Sequence, residues 1–317
     1  MGFIEGIQAL NEPATKLIEA VSHAIGKVYE PRYIKKIADA KAYEIKRISE
    51  ELRNNSDLPI VYDGTKTTID SSSFDELVKR TGNRLAYQEI KKQENIEAVI
   101  DKTLIELDGE ESQTKEEINP DWMNKYINSV GEISADDMQQ LWIRILKGEV
   151  LSPNSFSIKT LDCLSNMNTQ DAKQFETIAQ FVVNNRFLVN YEELNKQYGI
   201  YYSIILALDD CGLINSGGTI SYIKKIDSSP IVFMDFRKYI IIASSKETRT
   251  ITVQEYPLSR AGKELFRIID KEDVPIAYVK EILSFLKEQY KDVVFSLHQV
   301  LERIDEDRIR YNQEELN

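Results

Sequence analysis

Between Asn119 and Val183, helix starts, helix stops and apolar stripes agree with one another, and this stretch constrains the fold more than any other. Asn119-Pro120 reads as an N-cap followed by proline at the first helical position, where its missing N–H costs nothing. Trp122, Tyr126 and Val130 then recur on one helix face. Ser134-Ala135-Asp136-Asp137 predicts a second start, with the Ser134 hydroxyl satisfying a free backbone N–H. Met138, Leu141, Trp142, Ile145 and Leu146 follow at helical spacing, and Gly148 is expected to end that helix. Beyond Ser152-Pro153, Ile158, Leu161 and Met167 sketch a third helix capped by Ser157. Ala172, Phe175, Ile178, Ala179 and Val182 mark a fourth that starts near Thr169. Both tryptophans of the chain fall in the first two helices, which places the expected core there.

The 317 residues are 42% hydrophobic and 29% charged, enough for two or three domains and unlike a disordered tail. The two cysteines, Cys163 and Cys211, cannot form a disulfide framework and read as small buried apolar groups. With only His23 and His298 available, a zinc site would need both histidines and both cysteines to converge. A net charge of −12 repels a polyanion, so any nucleic-acid affinity has to be local. No run of 18 apolar residues is present, and the first five residues lack the basic region of an export signal. The expected location is the cytoplasm, with peripheral contact at the inner membrane as a further expectation.

That last expectation comes from the N-terminus. Phe3, Ile7, Leu10, Ala14, Leu17, Val21, Ala24 and Val28 advance by alternating threes and fours, as the seam of a coiled coil does. Pro31 interrupts the stripe, and Ile34, Ile37, Ile45, Ile48 and Leu52 continue it, which predicts a helical hairpin over 1–55. Residues 27–47 carry seven bases against three acids, among them Lys27, Arg32, Lys35, Lys36, Lys46 and Arg47. A basic amphipathic helix of this kind can lie on an anionic membrane or polyanion, or stand as the solvated face of an oligomerising pair.

Residues 56–118 read as a loop with one short strand at Leu58–Tyr62, a long helix from Phe74 to about Leu107, and an acidic linker. After the central helical core, 119–185, two short helices are expected at Tyr191–Tyr198 and Ser203–Cys211, the second closed by Gly212. Strands follow at Thr219–Ile226, Ile231–Phe236, Tyr239–Ala243 and Thr250–Tyr256, and Pro257-Leu258-Ser259 opens another helix. Helices, then a β-wing, then a helix is the order of a winged-helix module, assigned to 186–271. Its candidate recognition helix holds Ile204, Ile205, Leu206, Leu208, Asp209 and Asp210 and no base, which favours structural or protein-binding use over reading DNA. A C-terminal part, 272–317, reads as the helix Ile276–Gln289, a strand at Asp292–Leu301 and a charged tail. The fold class is therefore mainly α with a smaller α+β part.

Motifs for chemistry are missing. The chain has no phosphate-binding glycine loop, no nucleophile elbow and no His-Glu-x-x-His. Asp136-Asp137 and Asp209-Asp210 are adjacent pairs, so on a helix they diverge by about 100° and cannot share one substrate. No catalytic residue, cofactor or metal is assigned.

Several runs are more specific when taken together. They are Met138-Gln139-Gln140-Leu141-Trp142 with Leu146-Lys147-Gly148-Glu149, Pro153-Asn154-Ser155-Phe156-Ser157 with Thr160-Leu161, and Pro257 to Leu265. This combination resembles a bacterial family of uncharacterised proteins kept under a domain-of-unknown-function label. It is also distantly similar to abortive-infection alpha-type proteins, which share an N-terminal helix broken like Gly26 to Pro31 here. That resemblance implies an association with phage defence and no reaction. Most of the run has structural uses, with Glu149, Pro153, Ser155, Phe156 and Ser157 forming a candidate partner-binding groove. The expected function is a non-enzymatic interaction protein, self-associating through its N-terminal helices and taking a protein partner. The alternatives are a nucleic-acid-binding regulator and a metal-dependent nuclease.

Overall fold

A computed structural model describes residues 11–26, 60–62, 67–69, 71–111, 114–217, 220–304 and 308–316. The chain divides into two compact units, Met1–Asn154 and Ser155–Asn317. Together they form an α+β mixture in which every strand pair is antiparallel.

Among its described residues the first unit is helical apart from its loops and a hairpin of β1 (Ile60–Tyr62) and β2 (Thr67–Ile69), where the sequence predicts a single strand. Helix α1 (Glu12–Ile25) starts at Asn11, whose side chain accepts from the Ala14 N–H, and it buries Ala14, Leu17 and Val21 within the unit. Helix α2 (Ser71–Glu106) runs for 36 residues. Leu77 and Leu85 near its start are exposed, and its packed face begins only at Ile96, continuing through Val99, Ile100 and Leu107 beyond its end. Helix α3 (Pro120–Val130) begins as predicted, with the Asn119 side chain accepting from the N–H groups of Asp121 and Trp122. Helix α4 (Asp136–Leu151) corrects two expectations. Its N-cap is Ala135, with no side-chain bond, because the Ser134 hydroxyl accepts from Asn95 instead. Gly148 sits inside the helix, and its carbonyl accepts from the Ser152 N–H. Between α3 and α4 the Tyr126 ring stacks on Trp122 at 5.2 Å and meets the edge of Trp142 at 5.3 Å. Its hydroxyl donates to the Trp142 carbonyl at 2.9 Å, so the buried phenol is satisfied.

The second unit opens with α5 (Ile158–Asn166) and α6 (Thr169–Ala179), the latter held by a reciprocal capping box between Asn168 and Asp171. Strand β3 (Phe187–Val189), absent from the sequence reading, precedes α7 (Glu192–Gln197) and α8 (Tyr202–Asp210). Gly212, at φ +77°, closes α8. The Gly212 N–H reaches the Asp209 carbonyl and the Leu213 N–H reaches the Leu208 carbonyl. Then come β4 (Ile220–Ile226), β5 (Ile231–Asp235), β6 (Tyr239–Ser244), β7 (Arg249–Pro257), α9 (Arg260–Phe266), α10 (Ile276–Gln289), β8 (Val294–Arg303) and β9 (Ile309–Tyr311). One sheet has the order β3-β7-β4 and the other β5-β6-β8-β9. Residues 303–317 are therefore not a plain charged tail, since β9 pairs with β8 through Val300↔Tyr311 and Arg303↔Ile309.

Among the described residues no helix is long and apolar enough to cross a membrane. The basic residues Lys27, Arg32, Lys35, Lys36, Lys46 and Arg47, and the hairpin expected around them, lie outside the described residues.

Candidate functional site

The conspicuous sequence run around 149–157 is committed to internal bonds. In the first unit Glu149 is fully buried, and its carboxylate accepts from the Asn154 N–H at 2.7 Å. That bond holds the turn after α4, where Pro153 is buried and Asn154 adopts φ +68°. In the second unit Phe156 is buried beneath the Arg267 guanidinium, which also donates to the Ser155 carbonyl at 2.7 Å. Ser157 stands at the N-cap of α5, but its side chain makes no cap bond.

Glu264, a residue to which the sequence reading gave no role, takes over the Ser157 hydroxyl. From α9 it accepts the Ser157 N–H at 2.7 Å, the Ser157 hydroxyl at 3.1 Å and the Thr160 hydroxyl, and it pairs with Arg260 at 2.8 Å. Burial pushes this carboxyl up, but those donors outweigh burial and hold it below the usual carboxylate range. A carboxylate at the start of α5 is also favoured by the helix dipole. Glu149, Pro153 and Phe156 thus lie in the interior, while Ser155 and Ser157 are half-buried and bonded.

Groups for chemistry are equally sparse elsewhere among the described residues. Among the described residues no group of three or more His, Cys, Asp or Glu could hold a metal ion. Burial pushes the Cys211 thiol up to about 11, with Asp171 adding to the effect, and burial raises Cys163 too. Neither is a ready thiolate at neutral pH. A surface cavity of about 260 Å³ in the first unit is lined by Lys16, Glu19, His23, Glu117 and Met123. The Lys16 ammonium is already bound to the Thr114 carbonyl and Glu12. His298 has both ring nitrogens engaged, with the Asn312 carbonyl and the Ser296 hydroxyl.

The remaining candidate is the outer face of α8. Ile205 and Leu208 anchor the helix in the core, and the flank beside them, with the N-cap, exposes Tyr201 at 54%, Tyr202 at 49% and Leu206 at 42%. Tyr256 on β7 extends this face, with its ring 6.4 Å from that of Tyr202. The charges nearby in the chain are acidic. Asp209 is tied to Ser216, Asp210 is exposed, and Glu192 and Glu193 on α7 share Lys196 at 2.9 and 3.2 Å. The sequence pointed to this helix through its missing bases, but only the fold tells which of its apolar residues face outward.

The model of one protein family, described as "Protein of unknown function (DUF2806)", matches residues 79–282. The chain belongs to this family. The matched region of this DUF2806 protein reaches from the middle of α2 into α10, so it includes the Glu264 anchor and the α8 face. No curated protein and no solved structure matches the chain.

Proposed function

We propose that this DUF2806 protein is a non-enzymatic interaction protein that docks a protein partner on the exposed face of α8. The observation that carries the reading is an aromatic and apolar surface on Tyr201, Tyr202 and Leu206, next to carboxylates and without a free base on its helix. Aromatic side chains supply large contact area at low entropic cost and are enriched where proteins meet. A phosphate backbone laid along α8 would meet Asp210 and no base of that helix.

The order α6, β3, α7, α8, β4, β7 supports a winged-helix-like module, in which α8 takes the recognition position and β5–β6 are inserted between the wing strands. Self-association through the N-terminal helices is narrowed by α1, whose Ala14, Leu17 and Val21 are covered inside the first unit. Those three positions of the stripe are therefore not free to form such a seam. A setting in phage defence rests on the sequence resemblance of the Gly26–Pro31 break.

Titration with duplex DNA at two salt concentrations tests the choice of partner. The docking reading predicts no binding at low salt. Tight binding that falls steeply with salt, and that is lost on charge reversal of Lys224 and Lys225 on the wing, would replace it with the regulator reading.

A further inference from the structure

The wing has two sides, and the protein treats them differently. On β7, Thr252 directs its backbone away from β4. The Tyr290 hydroxyl accepts from the Thr252 N–H and donates to the Thr252 carbonyl, both at 2.9 Å, and the Gln254 carbonyl accepts from the Asn190 N–H. Because Thr252 lies opposite Ile223 and Gln254 opposite Ser221, these are the non-hydrogen-bonded pairs of the β4–β7 ladder. The alternation then points the N–H and C=O groups of Ser221, Ile223 and Lys225 outward, along the free edge of the β3-β7-β4 sheet. Among the described residues nothing hydrogen-bonds to them on that side. The edge is also open to solvent, since Ile223 is 62% exposed and Lys224 and Lys225 are exposed.

An uncapped edge of this length is a template for another strand. We propose that its occupant is the same edge of a second copy, paired antiparallel about a two-fold axis at Ile223. The register carries the choice. Centred on Ile223, the pairing sets Ile223 against itself as a hydrogen-bonded pair, with an apolar contact on one face and both backbone bonds satisfied. Ser221 then faces Lys225 of the partner subunit, and Tyr222 faces Lys224 of the partner subunit. No lysine lies directly opposite a lysine, an arrangement that would be destabilising. The self-complementarity is that of an isologous dimer, and it joins the three-stranded sheets of both copies into one continuous sheet. Strand pairing alone buries less than the ~1,200 Å² of a stable interface, so the dimer is weak, with a dissociation constant on the order of 100 μM.

The test combines sedimentation of the full chain, from about 1 μM to about 1 mM, with amide hydrogen exchange at both ends of that range. The account expects the mean mass to rise toward twice the monomer's. The Ser221, Ile223 and Lys225 amides should exchange freely when dilute and gain about tenfold or more in protection when concentrated. Ile223→Lys places lysine against lysine at the axis on an already exposed site, and Ile223→Pro removes the central outward N–H at an edge position that tolerates proline. Each should abolish the rise in mass, and an unchanged melting temperature for Ile223→Lys shows that folding is not the cause. A monomer throughout the range overturns the proposal, as does a dimer that leaves those amides unprotected. Protection of the three amides only when an extended acidic peptide is added to the dilute protein likewise overturns it, in favour of a heterologous strand. None of these outcomes bears on α8, so the partner-docking reading stands or falls separately.

Discussion

The Tyr290 hydroxyl bonds both the N–H and the carbonyl of Thr252, closing the stretch of β7 that β3 is too short to cover. A side chain here does the work of a missing strand. Removing the hydroxyl in Tyr290→Phe leaves Thr252 exposed to water, so the loss of stability should be no more than about 1 kcal/mol. Exchange of the Thr252 amide should nevertheless accelerate sharply. Urea unfolding and residue-resolved hydrogen exchange check the two halves of this prediction.

Gly262 and Gly212 should respond differently to alanine. A Cβ on Gly262 would stand 2.0 Å from the Leu213 carbonyl oxygen, so α9 cannot keep its place against the turn after α8. Gly262→Ala should cost about 3 kcal/mol or more through overpacking against backbone that has no rotamer to yield. At Gly212 the left-handed φ of +77° and a 3.0 Å approach to the Cys163 sulfur predict a loss of about 1–2 kcal/mol. Thermal melts of the two variants should fall in that order.

Glu264 makes stability depend on acid. Its folded carboxyl titrates below the ordinary range, so it stabilises the fold above the pKa of the unfolded chain and loses that contribution as pH falls through the folded value. Glu264→Gln should lose about 1–3 kcal/mol at pH 7 and a smaller amount near pH 3. Unfolding curves at the two pH values measure the difference. An equal loss at both would contradict an ionised Glu264.

Glu255 predicts the opposite sign. It is buried on the inner face of β7, one carboxylate oxygen has no hydrogen-bond partner, and Arg186 is 3.7 Å from the other. Burial raises this carboxyl and Arg186 offsets the rise only in part. A group whose folded pKa is raised favours the fold below its unfolded pKa, and that advantage is lost as pH rises through the folded value. Glu255→Gln should therefore gain about 1 kcal/mol at pH 7 and nothing near pH 4, as urea midpoints would show.

How much of this was legible in the chain follows from how local each signal is. Asn119-Pro120, the helix opened by Pro257-Leu258-Ser259 and the helix Ile276–Gln289 stand at their expected positions, because capping chemistry and apolar spacing are written within a few residues. Five of the second unit's strands, β4 to β8, are legible as runs of β-branched and aromatic residues. Strands of three residues carry too little pattern, and β2, β3 and β9 were missed. Ser134 looked like a cap but lost its hydroxyl to Asn95, a partner 39 residues away. The same non-local competition hid Glu264, whose role depends on Ser157, 107 residues distant. The internal partners of the run at 149–157, Asn154 for Glu149 and Glu264 for Ser157, are equally out of reach of a reading by caps and apolar spacing.

The proposed role of the protein depends on the outer face of α8 receiving a protein partner. The most direct measurement places a photo-cross-linking residue at Leu206 of the full chain in its native cells and follows the products after illumination. The account predicts one discrete cross-linked protein species, lost when Tyr202 is changed to Asp while the melting temperature stays within about 1 °C, as expected for an exposed site. Illumination that yields only uncross-linked protein, or products unaffected by Tyr202→Asp, would contradict it.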